Sequence, residues 1–379
     1  MESVGSPVAF AIGPAEAPEL ARLFERPGAF VTVHLTTEQK LDNAAQRSMH
    51  HWRPVRDLLD GQGVDDRTLE AIEAIVPELH HEGSGAFVLA AGGEVVLTFG
   101  LDEAPARDRG SVGPLPSIAP LIEWRQLHQP HVIVLADRSG ADIIAVGPRG
   151  EELVESAGGN DGGDPHLRKT HPGGWSQRRY QERAENRWEA NAKAVAERVH
   201  QIATLIDPAA ILVAGDVRAL QYLQEELDDR LAPRVRELEG SRQADSGDDV
   251  LLDDARKQLK TVAAADTVAF LQKFKEEKGQ GDRAADGLAA TIEALNAAQV
   301  ETLLVHDDLD DDRRLWYAPD GPLVATDRAL LEGYGVSDPQ EGRLVDALIR
   351  AAFGSGARVR IVPTTVVEDG VGALLRYSV

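Results

Sequence analysis

The sequence contains no cysteine, only eight lysines and no long apolar run. Without cysteine, the chain forms no disulfides, thiolate metal sites or cysteine nucleophiles. No apolar run reaches the ~20 residues that a membrane-spanning helix requires. Residues 1–10 show no basic segment before an apolar core, so we expect no signal peptide and a cytoplasmic protein.

Acidic residues strongly outnumber basic residues. The 379 residues include 63 acidic and 40 basic side chains, and the formal net charge is −23. This balance argues against non-specific binding of nucleic acid, because phosphates are contacted by lysine and arginine. A nucleic-acid partner therefore requires that the basic residues be gathered in one place.

Composition shifts divide the chain into three predicted domains, at residues 1–129, 130–240 and 250–379. The first predicts an α+β domain, the second a mixed α/β layer fold and the third an α/β/α sandwich, so the fold class is α/β, multidomain. The segments behind this prediction are strands at 30–35, 131–136, 141–146, 211–215, 301–305 and 358–362, a hairpin at 85–99, helices at 37–59, 66–80, 176–206, 221–231, 251–277, 285–298 and 341–353, and a loop at 102–116.

The segment 168–187 gathers positive charge around a Gly173-Gly174 turn that leads into a helix. Arg179, Arg183 and Arg187 recur every four residues and therefore share one helix face. Aromatic side chains beside such a stripe can stack on exposed bases, which favours contact with RNA. A glycine-rich helix start with ordinary ion pairs explains the same composition equally well. The candidate RNA-binding residues are Arg168, Lys169, Trp175, Arg178, Arg179, Tyr180, Arg183 and Arg187.

Other polar clusters give weaker signals. The histidine pairs at 50–51 and 80–81 lack metal-ligand spacing, so we predict no metal site there. Asp137 and Asp216 each follow a strand and could hold Mg²⁺ in a nuclease, although turn and cap roles are the better interpretation. The acidic run 307–312 is expected to be a solvated loop. No cofactor is predicted.

Three segments together resemble the archaeo-eukaryotic class-1 release factors and Pelota. The Gly173-Gly174 loop with its basic helix is similar to that family's Gly-Gly-Gln loop, and residues 287–305 are similar to the start of its C-terminal domain. Residues 370–377 resemble its terminal Gly-Ile-Gly-Gly-Ile-Leu-Arg-Tyr segment. The resemblance covers about residues 130–379 and is closest to the bacterial branch of the family, which includes the hibernation factor Balon.

The resemblance implies a fold and partners for each domain. The central domain is expected to have a ribonuclease H-like fold without the nuclease site. The C-terminal domain is expected to resemble the kink-turn-binding ribosomal proteins and to contact a translational GTPase similar to elongation factor Tu. The N-terminal domain is expected to face the decoding centre of the ribosomal A site, and the Gly-Gly loop to reach the rRNA of the peptidyl-transferase centre.

The sequence departs from the family at the residues that would carry chemistry. In release factors glutamine directly follows Gly-Gly, whereas Trp175 and Ser176 precede Gln177 here. No Asn-Ile-Lys-Ser motif for reading codons occurs in residues 1–129. The first hypothesis is therefore a non-enzymatic factor that occupies the A site in hibernation or stress. The second is a peptidyl-tRNA hydrolase, acting in peptide release or ribosome rescue, that uses Gly173, Gly174 and Gln177. A metal-dependent nuclease is the third.

Overall fold

The protein divides into two compact units. A computed structural model describes residues 10–37, 43–81, 83–101, 103–136, 141–148, 150–157, 188–215, 217–238, 248–281, 283–363 and 365–377. The first unit combines Met1–Trp124 with Ala269–Val379, and the second is Arg125–Val268. Both contain helices packed on sheets, which confirms the α/β, multidomain fold class. The division into three domains stays a prediction.

The N-terminal part of the first unit is an antiparallel sheet covered by helices. The strand order is β3-β2-β1-β4. The predicted hairpin between β2 and β3 is confirmed, and Gly92 and Gly93 both have the positive φ of a tight two-residue turn. Strand β4 lies within the segment predicted as a loop. The elements are α1 (Pro18–Leu23), β1 (Phe30–Thr36), α2 (Ala44–Gly61), α3 (Asp66–Ile75), a 3-10 helix (Val76–His81), β2 (Gly85–Ala91), β3 (Glu94–Leu101), β4 (Arg109–Gly113) and α4 (Ala119–Leu127).

Both faces of strand β1 are buried. Val31, Val33 and Leu35 pack with α2 and α3 in one hydrophobic cluster. Phe30 points to the opposite face and belongs to a second cluster that includes residues of the C-terminal part. Because side chains alternate along a strand, the two clusters lie on opposite sides of this sheet, and the polar side chains Thr32 and His34 on the side of Phe30 are buried as well.

The second unit contains a five-stranded sheet in the order β7-β6-β5-β8-β9. Strand β6 runs antiparallel to β5 and β7, whereas β5, β8 and β9 are parallel. Numbered from β5, the order is third, second, first, fourth, fifth, which is the order of the expected ribonuclease H-like fold. The elements are β5 (His131–Ala136), β6 (Ala141–Val146), β7 (Glu152–Ala157), α5 (Trp188–Ile206), β8 (Ala210–Gly215), α6 (Val217–Glu226), a 3-10 helix (Ala232–Arg234) and β9 (Val235–Glu237).

The C-terminal part of the chain forms a layered α/β/α arrangement. Its main sheet has the order β10-β16-β11-β15. Helices α8 and α10 pack on one face, and Phe270 and Phe274 of α7 pack on the other. A small sheet, β13-β12-β14, was not predicted. The elements are α7 (Asp248–Gln280), β10 (Ala284–Asp286), α8 (Leu288–Asn296), β11 (Val300–Val305), β12 (Arg314–Tyr317), β13 (Val324–Ala325), α9 (Arg328–Gly333), β14 (Gln340–Arg343), α10 (Leu344–Gly354), β15 (Arg358–Ile361), a 3-10 helix (Glu368–Gly370) and β16 (Val371–Leu375).

The two ends of the chain are joined within the first unit. Ile12 and Val359 exchange backbone hydrogen bonds of 3.0 and 2.7 Å, so the N-terminal segment pairs with the edge strand β15. The guanidinium of Arg360 is fully buried, lies 4.7 Å from the Phe270 ring and donates a 2.9 Å hydrogen bond to the carbonyl of Phe10. The hydrophobic cluster that contains Phe30 extends through both parts. The N- and C-terminal parts therefore share one core.

Candidate functional site

Strands β5, β7 and β8 of the second unit end in one row at the same edge of the sheet. Ala157 pairs with Ala141, Ala141 with Ala136, and Ala136 with Gly215. Strand β7 therefore ends, at Ala157, on the same edge of the sheet as the carboxyl ends of β5 and β8. In open α/β sheets the carboxyl ends of parallel strands are the usual place for functional loops.

Gly215 allows β8 to approach β5 closely at this edge. Its φ is 138°, and a Cβ placed on it would lie 1.7 Å from the carbonyl oxygen of Ala136. No side chain fits that space, so this position requires glycine. The sequence contains this glycine directly before Asp216, but its role follows only from the pairing of β5 with β8.

Two polar pairs hold strand β7 beside this edge. The guanidinium of Arg198 on α5 donates two hydrogen bonds to the carboxylate of Glu155. The one from Nη2 to Oε1 is 2.5 Å long. This hydrogen bonding raises the pKa of Arg198. The hydroxyl of Ser156 donates a 2.6 Å hydrogen bond to Asp142 on β6. Bidentate pairs fix geometry better than single contacts, so Glu155 and Arg198 connect the two elements that flank the Gly-Gly segment.

The predicted site residues lie outside the described residues. This holds for Gly173, Gly174 and Gln177, for Asp137 and Asp216, and for the candidate RNA-binding side chains Arg168, Lys169, Trp175, Arg178, Arg179, Tyr180, Arg183 and Arg187. Ala136 and Gly215, which precede the two aspartates, are direct neighbours in the sheet. The site assignment therefore stays a prediction, and the described residues give its scaffold.

The two C-terminal segments that carry the resemblance are neighbours in space. Strand β16 lies between β10 and β11 and pairs with both. The amide of Gly287 donates a 2.9 Å hydrogen bond to the carbonyl of Val371, and the amide of His306 donates one of 2.8 Å to Gly370. Both glycines have positive φ, 84° and 75°. The glycines of the motif thus allow the turns that bring its two segments together.

A buried cluster of ionisable residues in the first unit had no signal in the sequence. Asp346 on α10 lies 3.7 Å from Arg343, and Arg343 binds Asp307 at 2.5 Å. Burial raises the pKa of Asp346 to about 7, although the charge of Arg343 opposes this shift. Burial also raises the pKa of Glu123, with a contribution from Asp307.

His34 belongs to the same cluster. Its ring packs edge-on against Phe87 at 5.1 Å, and burial lowers its pKa to about 4 against the opposing charge of Asp307. Among the described residues, His34 Nε2, Arg343 Nη1 and Asp346 Oδ1 are buried without a hydrogen-bond partner. Perturbed groups often mark functional sites, but structural ion-pair networks perturb pKa values equally. This cluster joins the N- and C-terminal parts, so we assign it a structural role.

The acidic run 307–312 is not the fully solvated loop that was expected. The side chains of Asp307 and Asp311 are largely buried and pair with Arg343 and Arg313. Asp310 pairs with Arg107 and Arg109, which flank and begin strand β4. These arginines lower the pKa of Asp310. The loop therefore docks on the N-terminal sheet, because basic residues far away in sequence neutralise it.

The described residues contain no group of three or more histidine, aspartate or glutamate side chains arranged to hold a metal. His51 instead contacts Asp108 at 2.5 Å, and Asp108 also accepts a 2.6 Å hydrogen bond from the amide of Thr36. The rings of His80 and His81 lie 3.8 Å apart. In the same described part of the chain, no helix is both long and apolar enough to cross a bilayer.

Comparison with known proteins finds a family model that matches part of the chain. Residues 130–280 match the model of bacterial archaeo-eukaryotic release factor family 2. The matched residues include the five-stranded sheet and the Gly-Gly segment. The chain is 27% identical to an uncharacterized protein of Mycobacterium tuberculosis over an alignment of 363 residues. The alignment covers 93% of this chain and 94% of that protein.

Solved structures give more distant likenesses. Pelota from Archaeoglobus fulgidus is 17% identical, with 77% of this chain and 79% of that chain covered at a TM-score of 0.31. A translation termination-like factor of S. cerevisiae, described as involved in RNA quality control, is 10% identical, with 76% and 75% covered at a TM-score of 0.39. At these identities and TM-scores neither likeness carries a conclusion about this chain.

Proposed function

Because the central part of the chain is related to bacterial archaeo-eukaryotic release factors, we propose that the protein is a ribosome-binding factor of the release-factor type. It occupies the A site and acts in ribosome hibernation or the response to stress, in the cytoplasm. The observation that carries this proposal is the family match at 130–280, which includes the loop that would enter the peptidyl-transferase centre. The basic residues around that loop, centred on Arg179 and Arg183, bind rRNA.

The order of residues in the loop favours a factor without hydrolytic activity. Trp175 and Ser176 separate Gly174 from Gln177. Release factors hydrolyse the peptidyl-tRNA ester with a water placed at a glutamine that follows Gly-Gly directly. Displacement of a catalytic group by ~1 Å can cost about 100-fold in rate, and two inserted residues displace the glutamine by more than that.

A peptidyl-tRNA hydrolase, acting in peptide release or rescue of stalled ribosomes, is the alternative. The observation that favours it is that Gly173, Gly174 and Gln177 are all present within five residues. In this case the loop refolds on the ribosome so that Gln177 reaches the ester and supports the developing negative charge. The family relationship also supports a partner GTPase similar to elongation factor Tu, which would deliver either kind of factor.

Sedimentation with purified ribosomes, beside a peptidyl-tRNA hydrolysis assay on the same complexes, tests these proposals. Binding without release is the expected result, and Gln177→Ala should then bind as well as the wild type. Release that is lost in Gln177→Ala would identify the hydrolase instead. Wild-type protein that stays in the supernatant at low salt would refute both.

Release of RNA fragments that requires Mg²⁺ would favour the nuclease hypothesis and Asp137 with Asp216. Chelation of the metal should abolish this activity, whereas hydrolysis by a Gly-Gly loop needs no bound metal. The matched variant is Asp137→Asn, which removes a ligand charge and keeps the size of the side chain.

A further inference from the structure

Lysine is scarce in this chain and concentrated on one helix. Five of the eight lysines lie on α7, whereas an even spread along the sequence would place fewer than one there. From Ala255 to Ala265 this helix has three basic residues and no carboxylate. In a chain with a net charge of −23, such a stretch departs from the general composition. Clustered positive charge is the usual footprint of a surface that binds phosphates.

The part of α7 that belongs to the second unit covers one face of the five-stranded sheet. Ala255 and Leu259 belong to one hydrophobic cluster with Ile133 of β5. Helices α5 and α6 contribute to the cluster on the opposite face of the same strands. Lys257 and Lys260 do not belong to the buried face of α7, and both are exposed. These two side chains are called the α7 lysine pair.

The acids nearest the α7 lysine pair along the helix are engaged by other residues. Asp253 lies 3.1 Å from Arg256, and Asp266 accepts a 3.5 Å hydrogen bond from Gln129. Asp254 is likewise engaged. Within the part of the chain that the structure describes, neither ammonium group of the pair has an ion-pair or hydrogen-bond partner. Both charges are therefore available to an external partner.

The chemistry of this face favours phosphates over a protein partner. The cores of protein interfaces are enriched in aromatic residues, methionine and arginine and are depleted of lysine. The segment 255–265 contains no aromatic residue and no methionine. The exposed neighbours of the pair on the same side of α7 are the small residues Thr261 and Ala264. Lysine presents a point charge on a flexible stem, which suits a phosphate without requiring a planar fork.

The spacing of the α7 lysine pair suits a nucleic-acid strand. Residues three positions apart are neighbours on a helix surface. Between Lys257 and Lys260 the helix advances about 4.5 Å, at 1.5 Å per residue. One strand of a duplex carries a phosphate at roughly every 3.4 Å along its axis. The two ammonium groups can therefore contact neighbouring phosphates of one strand.

We propose that the α7 lysine pair contacts the phosphate backbone of rRNA when the protein is bound to the ribosome. This inference rests on the proposed function and adds an RNA contact that does not involve the Gly-Gly loop. The contact depends on charge and not on base sequence, because lysine contacts to phosphates carry no base information.

The test compares two double variants that change the same residue type on the same helix by the same charge. Lys257→Gln with Lys260→Gln removes the α7 lysine pair. Lys273→Gln with Lys278→Gln is the control, because both of these lysines already form ion pairs within the protein. Affinity for purified ribosomes is measured at several KCl concentrations, and thermal unfolding verifies that all proteins are folded.

The variant of the pair should reduce the slope of log affinity against log salt by roughly 1.4 to 1.8, at about 0.7 to 0.9 per lost phosphate contact. The control should keep the slope of the wild type. Equal slopes for all three proteins would overturn the contact but leave ribosome binding intact. Equal losses in both variants would show a general charge effect and would overturn the contact as well. A wild-type protein that does not bind ribosomes would overturn this inference together with the proposed function.

A cross-link distinguishes rRNA from an acidic ribosomal protein as the partner. Since the chain has no cysteine, Thr261→Cys supplies a single thiol beside the α7 lysine pair and leaves both lysines in place. A photo-activated cross-linker attached to that thiol should join the protein to rRNA in the ribosome complex. Cross-links to ribosomal proteins alone, or no cross-link at all, would overturn the proposed contact.

Discussion

Replacing Asp346 by asparagine should change how the free energy of unfolding depends on pH. The carboxyl of Asp346 is buried, and its pKa is raised from 3.8 to about 7 in the folded protein. Such a group contributes stability that is fully present below pH 3.8 and is lost as the pH rises through about 7, because the unfolded chain ionises first. With 1.36 kcal/mol per pKa unit, the loss amounts to about 4 kcal/mol.

His34 has the opposite effect in the same cluster. Its pKa is lowered from 6.5 to about 4. Its contribution is therefore present above pH 6.5 and is lost as the pH falls through about 4, which corresponds to about 3 kcal/mol. Between pH 4 and 6.5 the two slopes have opposite signs and similar size. In the wild-type protein the two contributions to the pH dependence of the free energy of unfolding therefore cancel. Asp346→Asn should reveal the titration of His34, and a variant of His34 should reveal the titration of Asp346.

Urea unfolding at pH values from 4 to 8, followed by tryptophan fluorescence, measures this effect. Trp52 is buried in the same unit and reports its unfolding. Relative to wild type, Asp346→Asn should gain stability steadily from pH 4 to 7, and His34→Gln should lose its relative stability over the range 4 to 6.5. A stability difference between Asp346→Asn and wild type that is the same at pH 4.5 and pH 7.5 would refute the raised pKa.

Three further predictions concern the scaffold. Gly215→Ala should destabilise the second unit by about 3 kcal/mol or more, whereas Gly279→Ala, where a Cβ meets nothing within 4 Å, should leave the melting temperature nearly unchanged. The fragment Arg125–Val268 should fold alone. The fragment Ala269–Val379 should not fold alone, because the core of this C-terminal part includes residues of the N-terminal part. Circular dichroism and thermal melting of both fragments test this. Arg360→Met should lower the free energy of unfolding by about 2 kcal/mol in urea titration, because the hydrogen bond to the Phe10 carbonyl is lost; a stability equal to wild type would contradict this role.

The strands that the sequence predicted are those with strong local signals. β5 and β8 are buried on both faces, and their apolar runs identify them without knowledge of their neighbours. Strand β4 was missed because Arg109–Gly113 contains two glycines and an arginine, and pairing with β1 decides its conformation. Helix α2 begins at Ala44, seven residues after the predicted start at 37.

Among the candidate functional residues too, those close together in sequence could be predicted and those far apart in sequence could not. The Gly-Gly segment and its arginines could be recognised because they are adjacent in sequence. The cluster of His34, Glu123, Asp307 and Asp346 could not, because its members are spread along the chain from residue 34 to residue 346. Burial shifts the pKa values of His34, Glu123 and Asp346, and burial depends on the packing of the N-terminal part on the C-terminal part.

The pairing of Ile12 with Val359 has a consequence for synthesis. A nascent chain emerges from its N-terminus, and domains generally fold as they are completed. The first unit lacks its final strands until β15 and β16 have been synthesised. The apolar side chains of its N-terminal residues therefore stay exposed to solvent during nearly the whole of translation. The second unit is complete once Val268 has emerged. The interior of the chain should therefore reach its native structure before either end does, and premature termination should leave an N-terminal fragment that depends on chaperones.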